Sequence, residues 1–242
     1  MAGRNILVFQ HLPVEHPGVF RDFLAEDGDR MTVIELDAGE SIPALSGFDA
    51  LWVMGGPMDV WEEDLHPWLR AEKRAIREAV VERGLPYLGF CLGHQLLAEA
   101  LGGAVAKAVK PEVGIMSVQC APETHESGYL AGLPALFEVL QWHGAEVIRL
   151  PPAAQNLASS PRCAFQAMAY GASAFSMQFH IEVTSAAVDE WSSVPAYLAS
   201  LEETLGADGA AAFAARTLAL TPEFNSRARR IYLNWKRRAG FV

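Results

Sequence analysis

Short apolar runs alternate with amphipathic stretches through the first hundred residues of the chain. Residues 5–10 (NILVFQ), 31–36 and 50–54 (ALWVM) are compact apolar runs and read as buried strands. Between the first two, residues 17–27 carry Val19, Phe20, Phe23 and Leu24 at helical spacing. Residues 45–48 read as loop, and a charged amphipathic helix is predicted over 68–83, closed by Gly84 with Pro86 just beyond. A fourth apolar run, 87–90, enters Cys91 directly, and a helix follows over about 93–101, stopped by Gly102-Gly103. Strands alternating with helices predict βαβ units, hence a parallel sheet covered on both faces with right-handed crossovers.

From residue 104 the texture changes. Short β-like pieces at 104–108, 115–119, 136–141, 163–170 and 174–179 are broken by Pro and Gly, which predicts antiparallel strands and long loops attached to the sheet. After residue 184 the pattern is helical to the end, and the Ala-rich stretch 207–215 reads as helix rather than linker. The expected fold class is therefore α/β. It has a mostly parallel central sheet with helices on both faces, additional antiparallel strands, and a helical C-terminal appendage. Residues 1–185 form the expected main domain, with 186–242 packed on it.

Composition narrows the function classes. A chain of 242 residues, half of them apolar, can bury a sizeable core without disulfides or metals. The net charge of −10 argues against nucleic acid as the main partner. Arg227, Arg229, Arg230, Lys236, Arg237 and Arg238 form a local basic run. It reads as a solvated helix face, with docking of an acidic partner as the alternative. Cys91, Cys120 and Cys163 are odd in number and lack zinc-ligand spacing, so no metal and no disulfide framework is expected. No signal peptide, membrane span or membrane partner is expected, and a reducing cytoplasmic location follows for a usable thiol.

The chemistry concentrates in three segments. Gly89-Phe90-Cys91-Leu92-Gly93 is a G-x-C-x-G pattern between a predicted strand and a predicted helix, the logic of a nucleophile elbow. The helix that follows aims its positive end at the Cys91 sulfur. His180 and Glu182 are two apart at the end of a predicted strand, so they share a face; the carboxylate can orient the imidazole as the third member of a triad does. Gly55-Gly56-Pro57 ends the strand 50–54. It is either an ordinary turn or a donor of backbone N–H groups to an oxyanion, beside the N–H of Leu92. Cys120 and Cys163 lack such surroundings and read as core or loop residues.

Taken together these segments resemble the class I (triad) glutamine amidotransferases, over roughly residues 5–185. The likeness is greatest to stand-alone GMP-synthase-like amidotransferase domains. Phe9-Gln10-His11, the MGGPM segment at 54–58, Cys91 to Ala98, Glu112-Val113-Gly114 and Gln141-Trp142-His143-Gly144 belong to the same pattern. The resemblance implies a flavodoxin-like fold with Cys91 as nucleophile, His180 as acid/base and Glu182 as orienting carboxylate. It further implies Gly56 and Leu92 as oxyanion donors. Gln95 is implied as a ligand of the glutamyl substrate, the alternative being a helix-surface residue. Gly55, Pro57 and His143 complete the substrate-binding candidates, and a structural role for His143 remains open. Two departures stand out: Ile181 where such chains often carry Pro, and Ala145 where Asp often follows W-H-G. The implied reaction is hydrolysis of the glutamine γ-amide through a γ-glutamyl thioester, without cofactor, with ammonia passed to a synthetase or acceptor subunit in trans. Two alternatives stand beside it: a partner-independent γ-glutamyl peptidase acting on glutathione-like compounds, and a non-catalytic binding or regulatory protein.

Overall fold

A computed structural model describes residues 3–122, 124–126 and 128–242; the first two residues of the expected main domain lie outside this range. Among the described residues one mixed sheet of nine strands runs in the order β2-β1-β3-β4-β9-β8-β7-β5-β6. Its first half is parallel: β1 (Asn5–Gln10) pairs with β2 (Arg30–Glu35) and β3 (Ala50–Val53), and β4 (Tyr87–Phe90) joins β3 to β9 (Ala174–Met177). The central strands are buried on both faces, which is why they read as unbroken apolar runs. One face is covered by α1 (Phe20–Asp27) and the last helix, the other by α2 (Trp68–Arg77) and α3 (Leu92–Ala100).

The second half differs from the sequence expectation. The pieces expected at 104–108 and 115–119 are one strand, β5 (Ala104–Cys120), and the piece at 136–141 extends into β6 (Leu136–Arg149). The two pair antiparallel, with a register shift between Lys107 and Glu112 that absorbs Pro111. β7 (Gln155–Ser159) has no apolar signature in its sequence, QNLAS, and is a strand because β8 (Ala167–Tyr170) and β5 flank it. The antiparallel strands expected here are thus attached to the sheet as its second half.

The C-terminal segment forms α4 (Ala187–Ser192) and α5 (Pro195–Arg238). α5 is broken at Gly206, whose φ of 67° only glycine adopts freely. Its far end packs deep: Trp235 is fully buried against Trp52, and its indole N–H donates to the Tyr87 carbonyl at 3.0 Å. The basic run is divided between a seam and a solvated face: Arg230, Arg237 and Arg238 are exposed, whereas Arg227, Arg229 and Lys236 pack against the rest of the protein. Arg229 lies 3.9 Å over the Phe23 ring and pairs with Glu26, Lys236 pairs with Asp27 at 2.7 Å, and Arg227 donates to the Glu138 carbonyl at 2.6 Å. Two of these cations, Arg229 and Lys236, thus neutralise the acidic end of α1 at Glu26 and Asp27. No helix among the described residues is long and apolar enough to cross a membrane.

We propose that residues 1–185 and 186–242 unfold as one unit. Trp235→Ala is expected to lower stability by about 3–5 kcal/mol, as removal of a buried Trp does. Denaturant unfolding followed by two probes, one on each segment, should show a single shifted transition. Two separated transitions would show independent segments.

Candidate active site

The elbow forms as its spacing predicts. β4 delivers the chain to Cys91, whose φ of 48° and ψ of −102° are foreign to a non-glycine residue. Strain of this kind costs about 1–3 kcal/mol and persists only where the surroundings over-determine it. Here the Cys91 N–H donates to the Met177 carbonyl at 2.9 Å, and the Gly93 N–H donates to that of Met54 at 3.1 Å. Both flanking glycines are dictated by space. A Cβ on Gly93 would lie 2.1 Å from the Val53 oxygen, and one on Gly89 would lie 2.8 Å from the Gly93 oxygen. The Cys91 carbonyl accepts from the N–H groups of His94 and Gln95, so α3 starts at the nucleophile. Its first N–H groups, Leu92 among them, have no intrahelical partner.

His180 follows β9 and is anchored by two backbone bonds with Leu140 of β6, at 2.8 and 3.2 Å. Its Nδ1–H donates to Glu182 Oε1 at 2.6 Å, and its ring packs 4.7 Å from that of Trp191 on α4. Burial pulls the His180 pKa down. The Glu182 charge, the contact with Cys91 and the Glu182 hydrogen bond push it up and win, so it stands well above the usual imidazole value. Ile181 contributes its N–H to Glu182 Oε2 at 2.9 Å. A Pro at this position could not supply that bond.

Above the sulfur lies a cleft of about 190 Å³ lined by Gly56, Pro57, Met58, Asp59, Cys91, Gln95, the stretch 142–145, and Ala196, Tyr197 and Ser200 of α5. Gly56 and Leu92 are neighbours, since a Cβ on Gly56 would lie 2.9 Å from Leu92 Cδ2. Gln95 is buried and tied down, its amide donating to the Ala145 carbonyl at 3.0 Å and to Gln178 Oε1 at 3.1 Å. His143 reaches the cleft wall while bonding the Ala145 carbonyl at 2.9 Å and Glu112 Oε2 at 3.1 Å. Ser160 and Gln166 also donate to Glu112; burial works against this carboxylate's charge, but those bonds hold its pKa below the ordinary value. The Ala145 side chain has no polar role, but its carbonyl joins Gln95 to His143. Gly55 is the substrate-binding candidate that does not line the cleft: its carbonyl accepts from His11, and a Cβ there would strike Glu15 at 2.3 Å. Among the described residues, no three His, Cys, Asp or Glu side chains converge as a metal site.

Sequence reasoning assigned no role to three neighbours of the sulfur. The Gln178 amide lies 3.5 Å from Cys91 Sγ, and the i,i+2 argument that joined His180 to Glu182 would also have joined it to Gln178. Tyr197, whose hydroxyl donates to the buried Glu15, carried no sequence signal; Trp142, packed on Trp191 and Tyr197, belonged to the W-H-G pattern but was given no role. His94 sits in the motif but not in the cleft. Burial, resisted by its bonds to Phe165 and Ser176, pushes its pKa down to about 3, so it is a neutral core strut.

Residues 21–190 match the family model described as glutamine amidotransferase class-I. The chain is 36% identical over 155 residues to a GMP synthase (glutamine-hydrolyzing) subunit of Sulfolobus acidocaldarius, covering 63% of this chain and 77% of that protein. It is 40% identical over 132 residues to GMP synthase (glutamine-hydrolyzing) of Thermomicrobium roseum, where the match spans 53% of this chain but only 22% of that longer protein. Among solved structures, a glutamine amidotransferase of Thermotoga maritima superimposes with a TM-score of 0.86 at 25% identity, covering 99% of both chains. Tyr197 and Ser200 lie beyond the span of the family match.

Glu182→Gln removes the charge that opposes burial at His180, so the imidazolium should be lost at lower pH than in the wild type. Alkylation of Cys91 by iodoacetamide at neutral pH is then expected to slow by about tenfold, the equivalent of one pKa unit. An unchanged rate would mean that Glu182 does not sustain the charged imidazole.

Proposed function

The chain belongs to the class I glutamine amidotransferase family, and from that premise we propose that it hydrolyses the γ-amide of glutamine by a Cys91–His180–Glu182 triad. The supporting observation is the meeting of a strained, cleft-facing thiol with a buried imidazole held at 2.6 Å by a carboxylate. Glu182 holds the tautomer and orientation, His180 exchanges protons, and Cys91 supplies the electron pair.

In this reading Cys91 Sγ attacks the γ-carbonyl carbon and the carbonyl π-electrons move to oxygen, between the N–H groups of Gly56 and Leu92. Collapse expels the nitrogen, which takes a proton from His180 and leaves as ammonia. Water, deprotonated by His180, then attacks the γ-glutamyl thioester and releases glutamate and the thiol. A positioned acid–base group contributes about 10² to 10⁴-fold and one oxyanion donor about 10² to 10³-fold. Gln178 and Gln95 keep the sulfur and the cleft wall in register. Asp59 is the acidic side chain lining the cleft and suits the substrate ammonium group.

A cleft of about 190 Å³ suits an amino acid better than the drug-sized ligands that fill pockets of roughly 300–1,000 Å³. That favours glutamine over bulky γ-glutamyl conjugates. The freed ammonia goes to an acceptor in trans, in line with likeness to a protein named as one subunit of a GMP synthase. One observation favours the peptidase alternative: Ala196, Tyr197 and Ser200 of the chain's own C-terminal helix supply one wall of the cleft, a part that a partner need not then provide.

Glutamate release from glutamine by the purified protein should be lost in Cys91→Ala, and a γ-glutamyl peptide should be the poorer substrate. Release that survives the substitution would discard Cys91 as nucleophile. A preference for the peptide would select the second reading. Stimulation of glutamine hydrolysis by a synthetase would mark the acceptor.

A further inference from the structure

We propose that His11, held by Glu72, is a positioning residue that aims and polarises the Gly56 N–H toward the oxyanion. The inference rests on the reading of Gly56 as an oxyanion donor and adds two residues that lie outside the cleft.

His11 is the first residue after β1, and its ring is fully buried. Its Nδ1–H donates to the Gly55 carbonyl at 2.7 Å, and its Nε2–H donates to Glu72 Oε1 at 2.9 Å. The ring stacks on Trp68 with centroids 5.4 Å apart and planes 20° apart. Trp68 and Glu72 are one turn apart on α2, so a single helix face supplies both the platform and the charge. Glu72 is itself fully buried.

Geometry connects this pair to the cleft. The Gly55–Gly56 peptide is trans, so its C=O and N–H point in opposite directions. A carbonyl gripped by the His11 ring leaves the Gly56 N–H directed away from that ring, and of the two glycines it is Gly56 that lines the cleft. The fit is tight, since a Cβ on Gly56 would lie 3.0 Å from His11 Cβ and 2.7 Å from Met58 Sδ.

Charge adds to aim. Both ring nitrogens of His11 face oxygen acceptors, the arrangement of an imidazolium. Burial lowers the His11 pKa, but the Glu72 charge and hydrogen bond and the Gly55 carbonyl raise it above the ordinary value. A charged donor on the carbonyl end of a peptide draws electrons from its N–H end and strengthens that donor. Packing alone does not call for such a pair, because a buried ion pair is weak at best as a source of stability and apolar residues of similar volume serve as well.

The test labels Cys91 with two reagents and follows the rates by mass spectrometry. A glutamine-derived diazoketone carries a carbonyl that must enter the oxyanion site, whereas iodoacetamide needs no such site. His11→Gln places its amide where Nε2 was and gives up the Gly55 carbonyl. It should slow diazoketone labelling by about 10–100-fold, part of the worth of one oxyanion donor, and leave iodoacetamide labelling unchanged. His11→Asn places its amide where Nδ1 was and should restore most of the diazoketone rate. Should His11→Gln fail to fold, Glu72→Gln, which keeps the hydrogen bond and removes the charge, is expected to lower the diazoketone rate selectively. The inference is overturned by an unaffected diazoketone rate, by loss of both rates together, or by Asn performing no better than Gln. A wild type labelled by iodoacetamide alone would remove the glutamine reading and this inference with it, and Cys91 would remain a reactive thiol.

Discussion

Cys91 stands at φ 48° and ψ −102°, and much of the sheet's centre is arranged around keeping it there. The strain amounts to about 1–3 kcal/mol, a sizeable part of a domain's net stability of roughly 5–15 kcal/mol. It is opposed by bonds from the flanking strands and from β4 itself: Met177 of β9 accepts from Cys91, Met54 beyond β3 accepts from Gly93, and the Tyr87 hydroxyl donates to the Gly93 carbonyl at 2.8 Å. Both flanking strands must therefore be in register with β4 before the sulfur can face the cleft. The same register brings β9 alongside, and β9 carries the chain on to Gln178, His180 and Glu182.

The imidazole is shaped by late parts of the chain. Trp191 of α4 lies against the His180 ring, and Trp142 of β6 and Tyr197 of α5 pack around Trp191. This aromatic wall removes water from His180, and only the charge of Glu182 and the nearness of Cys91 keep it protonatable. Desolvation and the carboxylate thus work in opposition, which makes the site sensitive to either. The C-terminal helix is drawn into the cleft through Tyr197 and into the core through Trp235. One end of the appendage lines the cleft while the other is cemented by Arg229, Lys236 and the aromatic cluster around Trp52.

Polar burial follows a consistent pattern. Glu112 accepts from His143, Ser160 and Gln166, and Glu72 accepts from His11. Each cluster sits behind a wall of the cleft and fixes a backbone carbonyl, Ala145 in one case and Gly55 in the other. Low dielectric makes such networks strong when satisfied and costly when broken, so they hold the backbone of the cleft wall in place at both positions.

How much was legible in the chain follows from how local each requirement is. The elbow could be read because its glycines answer to clashes within a strand-turn-helix of a few residues. His180 and Glu182 could be paired because i,i+2 geometry in an extended segment needs no other element. The parallel half of the sheet was legible because strands buried on both faces must be apolar throughout. β7 was not, since QNLAS becomes a strand only through its neighbours' hydrogen bonds. That Gly55 does not line the cleft was hidden for the same reason, its carbonyl being claimed by a histidine 44 residues away. The pairing of Cys91 with His180, the wall supplied by Tyr197 and the His11–Glu72 lock all depend on elements separated by tens of residues. Local sequence determined which groups could do chemistry here. Sheet order and burial decided which of them meet, because contacts between distant segments exist only once the chain has packed.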